Sequence, residues 1–325
     1  MQLKTLLKPL ILIAATVAAP FGNALAAYPD KAVKIIVSFP PGGATDVVTR
    51  ILGAELSKLW AQTVVVENKT GAGGNIGANH VAKSDPDGYT LLMGSPAETV
   101  INPLLYSQMQ YDAEKDLIPV SKVGSAPLVL VVHPTVPAKN AKELIEYIRK
   151  NPKKINYASS GTGGPQHLAA EEFKRVTDTQ INHIPYKGGA PAITDLVGGQ
   201  VQMFFSGLPP ALPFIQASKL RALAVTTKTR SDLVPDIPSL AESGLPDFNI
   251  ENWQGLFAPA GTPAAVIKQI SADVKKALGK KEIKEKLAIQ GVSAAPSTPA
   301  EFASFIAAER KTYAQIIKAA NVSVK

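Results

Sequence analysis

Short continuous apolar runs alternate with longer amphipathic stretches along almost the whole chain. VKIIVSF (Val33–Phe39) predicts a buried strand, and the amphipathic positions over about Asp46–Trp60 predict a helix after it. TVVVENK is a second strand, GAGGNIGANHVAKS opens a second helix, and GYTLLMGS is a third strand. Strands that are apolar throughout, rather than every second residue, suit a sheet covered on both faces, and helices between them are the usual crossovers. The pattern predicts an α/β chain with parallel-rich sheets flanked by helices.

A second series of the same kind follows. APLVLVVHP (Ala126–Pro134) is a long strand-like run, and AKELIEYIRK is a helix with Leu144, Ile145 and Ile148 on one face. INYASS, INHIPY, VQMFFSG and LRALAVT read as strands, with helices from Pro165 and Pro191 between them. After the proline-rich loop PDIPSLAESGLPDF comes a strand in NIENWQGLFAP, and two helices close the chain. Thr262 is expected to cap the first of these with Pro263 at its first position, and Thr298-Pro299-Ala300-Glu301 has the spacing of a capping box for the second. Periodicity fits one wide sheet or two. The runs near Val129 and Trp253 have the length of crossings between two sheets.

Four corners repeat one construction, in which a strand end meets a glycine-rich loop and a helix start: Pro40-Pro41-Gly42-Gly43, Gly71-Ala72-Gly73-Gly74-Asn75, Ser159-Ser160-Gly161-Thr162-Gly163-Gly164 and Tyr186-Lys187-Gly188-Gly189. Ligands of open α/β sheets bind at this carboxyl edge of the strands. A helix N-terminus there leaves backbone N–H groups unpaired and partly positive, and glycine lets an anion approach them closely. A single such corner need be no more than a tight turn; four together point to an anion site.

Specific chemistry finds less support. Gly71 and Gly73 would need a third glycine at position 76 for a dinucleotide fingerprint, and Ile76 stands there. No phosphate-binding P-loop motif occurs, and none of Ser159, Ser160 or Ser206 has the glycine two residues earlier that a nucleophile elbow needs. A secreted serine hydrolase built on Ser160 and His167 is the alternative reading, without a placed acidic partner. His167 and Glu171 lie one helical turn apart, a spacing that can chelate metal. With no cysteine and only His183 as a third ligand, no metal site is expected, and His167 is assigned to supporting its loop or touching a ligand. His80 and His133 are read as structural, and Trp253 as either core or cleft. Asp46 and Arg50 form an i,i+4 helix pair, and Asp46 is also placed to accept from the Pro41–Gly43 loop as its support.

Composition narrows the setting. Of 325 residues, none is cysteine, which excludes disulfides, thiolate metal sites and a lipid anchor on cysteine. Lys4 and Lys8, the apolar run Leu10–Ala19 and the small residues Ala24-Leu25-Ala26 predict a signal peptide over 1–26, hence a soluble periplasmic product. The formal charge is +8, and removing the two leader lysines leaves +6. The densest basic cluster, KKALGKKEIKEK, is interleaved with acids and reads as a solvated helix face, not a nucleic-acid surface.

FPPGGATDVVTRILGAEL, VVVENKTGAGGNIGANHVAKSDPDGYTLLMGS, NYASSGTGGPQHLAAEEF, HIPYKGGAPAITDLVGGQV and LPPALPFIQASKLRALAVT resemble, in order and over nearly the whole mature chain, the Bug-type receptors. These are extracytoplasmic solute-binding proteins of tripartite tricarboxylate transporter systems. The resemblance implies a two-domain, class II periplasmic-binding-protein fold. The first domain would be residues 27–125 plus 252–325 and the second 126–251, with the ligand cleft between them. It implies a ligand carboxylate held by Phe39, Pro41, Gly42, Gly43, Ala44 and Thr45 and by Ser160, Gly161, Thr162 and Gly163. Tyr186 and Lys187 would stand beside them, with Gly73, Gly74, Asn75 and Ser95 along the first-domain wall. Relatives often carry an acid where this chain has Ser206, so a mono- or dicarboxylate without a required ammonium group is expected. No catalysis and no cofactor are implied. The partners would be membrane subunits of such a transporter or a sensor kinase, with the receptor itself a monomer.

Overall fold

The computed structural model describes residues 28–323; the predicted leader lies outside them. In chain order the elements are β1 (Val33–Val37), α1 (Ala44–Trp60), β2 (Val64–Asn68), α2 (Asn75–Ala82), β3 (Thr90–Gly94), α3 (Asn102–Leu105), β4 (Leu117–Val132), α4 (Ala141–Lys150) and β5 (Asn156–Ser159). Then follow α5 (Pro165–Thr177), β6 (Asn182–Pro185), α6 (Gly189–Val197), β7 (Met203–Gly207), α7 (Leu208–Gln216), β8 (Arg221–Val225) and β9 (Glu251–Pro259). The last elements are α8 (Ala264–Gly279), α9 (Lys281–Ile289), β10 (Ser293–Ala294) and α10 (Pro299–Ala320). A single 3₁₀ turn at Ala72–Gly74 precedes α2, and a wide turn of π type at Ala97–Ile101 precedes α3.

The strands run in the order β2-β1-β3-β9-β4-β7-β5-β6, with β8 and β10 also paired to β4. Both outer arms are parallel: β1 with β2 and β3, and β5 with β6 and β7. The middle is antiparallel, since β4 runs against β7, β8, β9 and β10, and β9 against β3. Apolar continuity reports that a strand is buried, not which way its neighbours run. Here β9 re-enters after a long loop rather than a crossover helix, so nothing forces it to lie parallel.

β4 is the hub. Its first part pairs with β9 from Leu117 to Pro127, and its second with β7 and β8 from Leu128 to Val132, so one 16-residue strand serves two half-sheets. It starts nine residues before the strand-like run at Ala126, because LIPVSKVGS mixes polar residues into a segment buried by neighbours distant in sequence. Three other elements depart from the expected pattern. α7 forms in a proline-rich stretch, with proline in its first turn and Pro213 inside. The closing pair of helices is three, since the chain breaks between Gly279 and Lys281. Thr262 does not cap α8: its hydroxyl donates to the Pro259 carbonyl at 2.8 Å, and the helix starts after Pro263. The Thr298 capping box is present, with Glu301 N–H donating to the Thr298 hydroxyl and Thr298 N–H to Glu301.

One apolar cluster packs α1, α8 and α9 on the first half-sheet through Val48, Leu52, Ile270, Val274 and Leu287. A second, around Leu130, Phe173, Phe205 and Trp253, continues from one half-sheet to the other under α5 and α10. Trp253 is therefore core, wholly buried, with its indole N–H donating to Glu309.

A cleft at the carboxyl ends of the strands

A cavity of about 490 Å³ opens where β1, β3 and β5 end. From the first arm, Phe39, Gly43, Ala44 and Thr45 line it after β1, Gly73 comes from the 3₁₀ turn, and Ser95, Ala97, Asn102 and Tyr106 follow β3. From the second arm come Ser160 through Gln166 and Gly189, and β9 adds Asn252. No lining residue carries a charged side chain. A larger cleft of about 740 Å³ lies between α4 and the 242–245 turn, away from every glycine corner.

Three helices begin at this cavity: α1 after Gly43, α5 after Gly164 and α6 after Gly188, and none has a side-chain cap. Their first backbone N–H groups have no intrahelical acceptor and carry the positive end of the helix dipole. Side-chain caps occur on α4 and α10, from Asn140 and Thr298, while α8 and α9, which start away from the cavity, also lack one; what marks the cavity is that three N-termini converge on it. Close approach is a matter of glycine: Gly42 at φ +81° and Gly163 at φ +83° adopt backbone that side chains resist.

Each wall is held from behind. On the first, Gly42 N–H donates to Asp46 Oδ2 at 2.9 Å, and Asn68 Nδ2 bridges Asp46 and the Phe39 carbonyl, both at 2.9 Å. Arg50 pairs with the same carboxylate at 2.9 Å, cancelling a negative charge that would otherwise repel an anion at the α1 N-terminus. Burial tends to raise the Asp46 pKa, but hydrogen bonds from Arg50, Gly42 and Asn68 outweigh it and hold the carboxyl below its ordinary value.

On the second wall the braces are imidazoles. Gly163 N–H donates to His167 Nδ1 at 3.1 Å, so His167 is neutral with its proton on Nε2, 3.8 Å from Glu171. His183 stacks on His167 with ring centroids 4.0 Å apart, and its Nε2 lies 2.6 Å from the Ser159 hydroxyl. That hydroxyl in turn bonds both the N–H and the carbonyl of Gly161. Below them Glu171 accepts from Tyr157 at 2.5 Å and from Lys174 at 2.7 Å. Burial lowers both histidine pKa values, that of His183 to about 4 with help from His167.

Of the residues expected from sequence, Phe39, Gly43, Ala44, Thr45, Gly73, Ser95, Ser160, Gly161, Thr162 and Gly163 meet around the cavity. Pro41, Gly42, Gly74, Asn75, His167, Tyr186, Lys187 and Ser206 are not among its lining residues. Asn75 turns its carbonyl oxygen to Asn102 and Tyr111, and His167 stands behind its loop. Tyr186 donates to Asp195, Lys187 is exposed, and Ser206 is enclosed in β7, donating to the Gly207 carbonyl. Ser160 has no bond to His167, whose Nδ1 is taken by Gly163; the serine that meets a histidine is Ser159. Sequence reasoning missed Ala97, Asn102, Tyr106, Gln166 and Asn252; Gly164, Pro165 and Gly189, which also line the cavity, belong to glycine corners and a helix start that it singled out without assigning them to the ligand. The Asn102-Pro103 pair was a usable turn signal, whereas Asn252 arrives along β9 with no local mark.

Known proteins resemble this chain over its length. A family model described as the tripartite tricarboxylate transporter family receptor matches residues 48–322. Protein BugT of Bordetella pertussis is 38% identical over 299 residues, covering 92% of each chain. The structure of R. palustris Rpa4515 with adipate shares 34% identity at a TM-score of 0.81, covering 91% of this chain and 99% of that one. MatC from Rhodopseudomonas palustris with bound malate shares 30% identity at a TM-score of 0.75, over 89% and 100% of the two chains.

Proposed function

The chain belongs to the tripartite tricarboxylate transporter receptor family, and from that premise we propose that it captures a small mono- or dicarboxylate in the cavity and hands it on unchanged. The observation that carries this reading is the convergence of three helix N-termini without side-chain caps on one cavity whose lining is uncharged. Such a site offers main-chain donors to a carboxylate, each charge-assisted bond contributing about 1.5–3 kcal/mol, and offers no carboxylate side chain to pair with an ammonium group. The adipate and malate of the two relatives are ligands of this class.

In this reading residues 27–125 with 252–325 form one domain and 126–251 the other, and the ligand favours their approach because only then do donors from both reach it. Residues 1–26 direct the chain to the periplasm, where the receptor acts as a monomer. It serves a tripartite tricarboxylate-type membrane transporter or a sensor kinase. Among the described residues no helix is long and apolar enough to cross a membrane.

A thermal-shift panel of linear mono- and dicarboxylates, with their amides as controls, tests the reading. A ligand at a hundred times its Kd adds about 2.7 kcal/mol of stability. One or a few acids should therefore raise Tm by several degrees, and their amides should not. A panel in which amides match the acids, or in which no acid shifts Tm, would remove carboxylate capture.

A further inference from the structure

Glu98, in the turn that follows β3, is fully buried directly behind the cavity wall. It accepts from Ser95 N–H at 3.1 Å on one oxygen and from the Ser95 hydroxyl at 2.5 Å on the other. The Ser95 carbonyl is taken as well, by the Thr99 hydroxyl at 2.5 Å. Ser95 lines the cavity, yet its N–H, its carbonyl and its hydroxyl proton are all committed inside the turn. Only the lone pairs of its Oγ remain for a ligand. Its neighbour in the wall, Asn102, likewise commits its amide nitrogen, donating to the Gly73 carbonyl at 2.9 Å and Asn75 Oδ1 at 2.7 Å. As they stand, these two side chains can only accept hydrogen bonds from a ligand, opposite in character to the helix N-termini facing them.

We infer that Glu98 sets the polarity of this wall through Ser95, as a positioning residue for the carboxylate site. Ionised, it holds the Ser95 proton and leaves Ser95 an acceptor toward the cavity. Protonated, it donates to Ser95 Oγ, and the serine hydroxyl is released to donate to a ligand oxygen. A carboxylate group received at Ser95 is therefore taken up together with one proton from solvent, which resides on Glu98. The inference rests on the reading of the cavity as a carboxylate site.

The surroundings permit the exchange. Burial raises the Glu98 pKa to about 7, against the lowering effect of its hydrogen bonds from Ser95. Tyr111, whose hydroxyl donates to the backbone carbonyl of Glu98 at 2.5 Å, has its own pKa raised far out of range by burial. The Ser38 hydroxyl at the end of β1 is the other polar group bearing on the carboxyl. α2 brings His80, which is exposed and lies in the field of Lys69, Glu67 and Lys34. α10 brings Glu309, bonded to Trp253, Arg310, paired with Glu114, and Tyr313, whose hydroxyl is enclosed. α3 carries no titratable side chain.

Calorimetry with adipate as probe, at pH 6 and pH 8 in buffers of low and high ionisation enthalpy, tests the inference. If only the protonated form receives the second carboxylate, affinity should rise about tenfold from pH 8 to pH 6, following the competent fraction, with uptake approaching one proton at pH 8. Glu98→Gln, which keeps an acceptor for Ser95 N–H and supplies an amide donor to Oγ, should bind at the low-pH strength throughout, without proton uptake. Ser95→Ala should lose the pH dependence and bind weakly at both values. Binding by the wild type with no pH dependence, or a dependence that survives in Glu98→Gln, overturns the inference while leaving carboxylate capture intact. Should adipate not bind at any pH, the ligand assignment fails instead, and infrared spectra of the free protein decide the matter. A protonated carboxyl band that titrates near neutrality and vanishes in Glu98→Gln supports the inference; its absence sinks it.

Discussion

On one side of the cavity the loop after β1 and the turn after β3 are tied down by carboxyl groups, Asp46 to Gly42 and Glu98 to Ser95. On the other side the loop after β5 is tied down by imidazoles, His167 to Gly163 and His183 through Ser159 to Gly161. Both arrangements keep glycine-rich backbone in one conformation while leaving helix N–H groups free for an anion. Glu98 and His183 respond to protons in opposite directions, while Asp46, held below its ordinary value, weakens with falling pH as His183 does. Glu98 has a raised pKa, so it stabilises the folded chain in its protonated form. That contribution is complete below the ordinary carboxyl value of 4.5 and is lost as pH climbs through about 7. His183 has a lowered pKa, so its contribution is complete above 6.5 and is lost as pH falls toward about 4.

The comparison can be broken most severely at the first loop. Gly43 has φ −75°, and a Cβ there meets nothing closer than the Pro40 carbonyl at 3.4 Å, so the backbone accepts a side chain. Gly43→Leu should fill the anion end of the cavity and weaken carboxylate binding beyond about a hundredfold, with Tm almost unchanged. Calorimetry beside a thermal melt checks both, and affinity retained in the variant would remove this loop from the site. Next in size is the acid behind the same wall. Relative to wild type, Glu98→Gln should gain stability as pH rises from 5 to 8, by about 3 kcal/mol in all, read from denaturant midpoints across that range.

On the imidazole side the effect is smaller because His183 is partly open to solvent. His183→Gln should flatten the loss of stability between pH 6.5 and 4 by about 1 kcal/mol; a slope equal to that of the wild type would mean His183 is not held neutral by its surroundings. Smallest of all is Lys187, exposed and not a lining residue. Lys187→Ala should alter affinity by less than about twofold in low salt, and a larger loss would require the second wall to reach the ligand through this lysine.

Legibility in the sequence follows how local the cause is. The strand-and-helix alternation, the Thr298 capping box and the glycine corners depend on residues within one turn or one run, and each can be read directly. Asp46 and Gly42 are four residues apart, near enough for their bond to be anticipated. β4 is different: LIPVSKVGS looks half polar, and only pairing with β9, more than a hundred residues later, makes it a strand. Asn252 reaches the cavity for the same reason. Ser206 shows the converse: the resemblance placed it at the ligand, while here the side chain is enclosed in β7. Glu98, in SPAETV, reads as an ordinary surface acid; its burial is created by the Gly74 backbone, α2 and α10 closing over one short turn.

The sharing of β4 bears on how the molecule comes apart. Two lobes joined by flexible linkers can melt one after the other, but here β4 is hydrogen-bonded to β7, β8, β9 and β10, so neither half-sheet can dissolve without stripping partners from the other. Heating should accordingly give a single cooperative transition, with calorimetric and van 't Hoff enthalpies in agreement. Ligand bound at the cleft would then protect strands far from it as strongly as those that touch it.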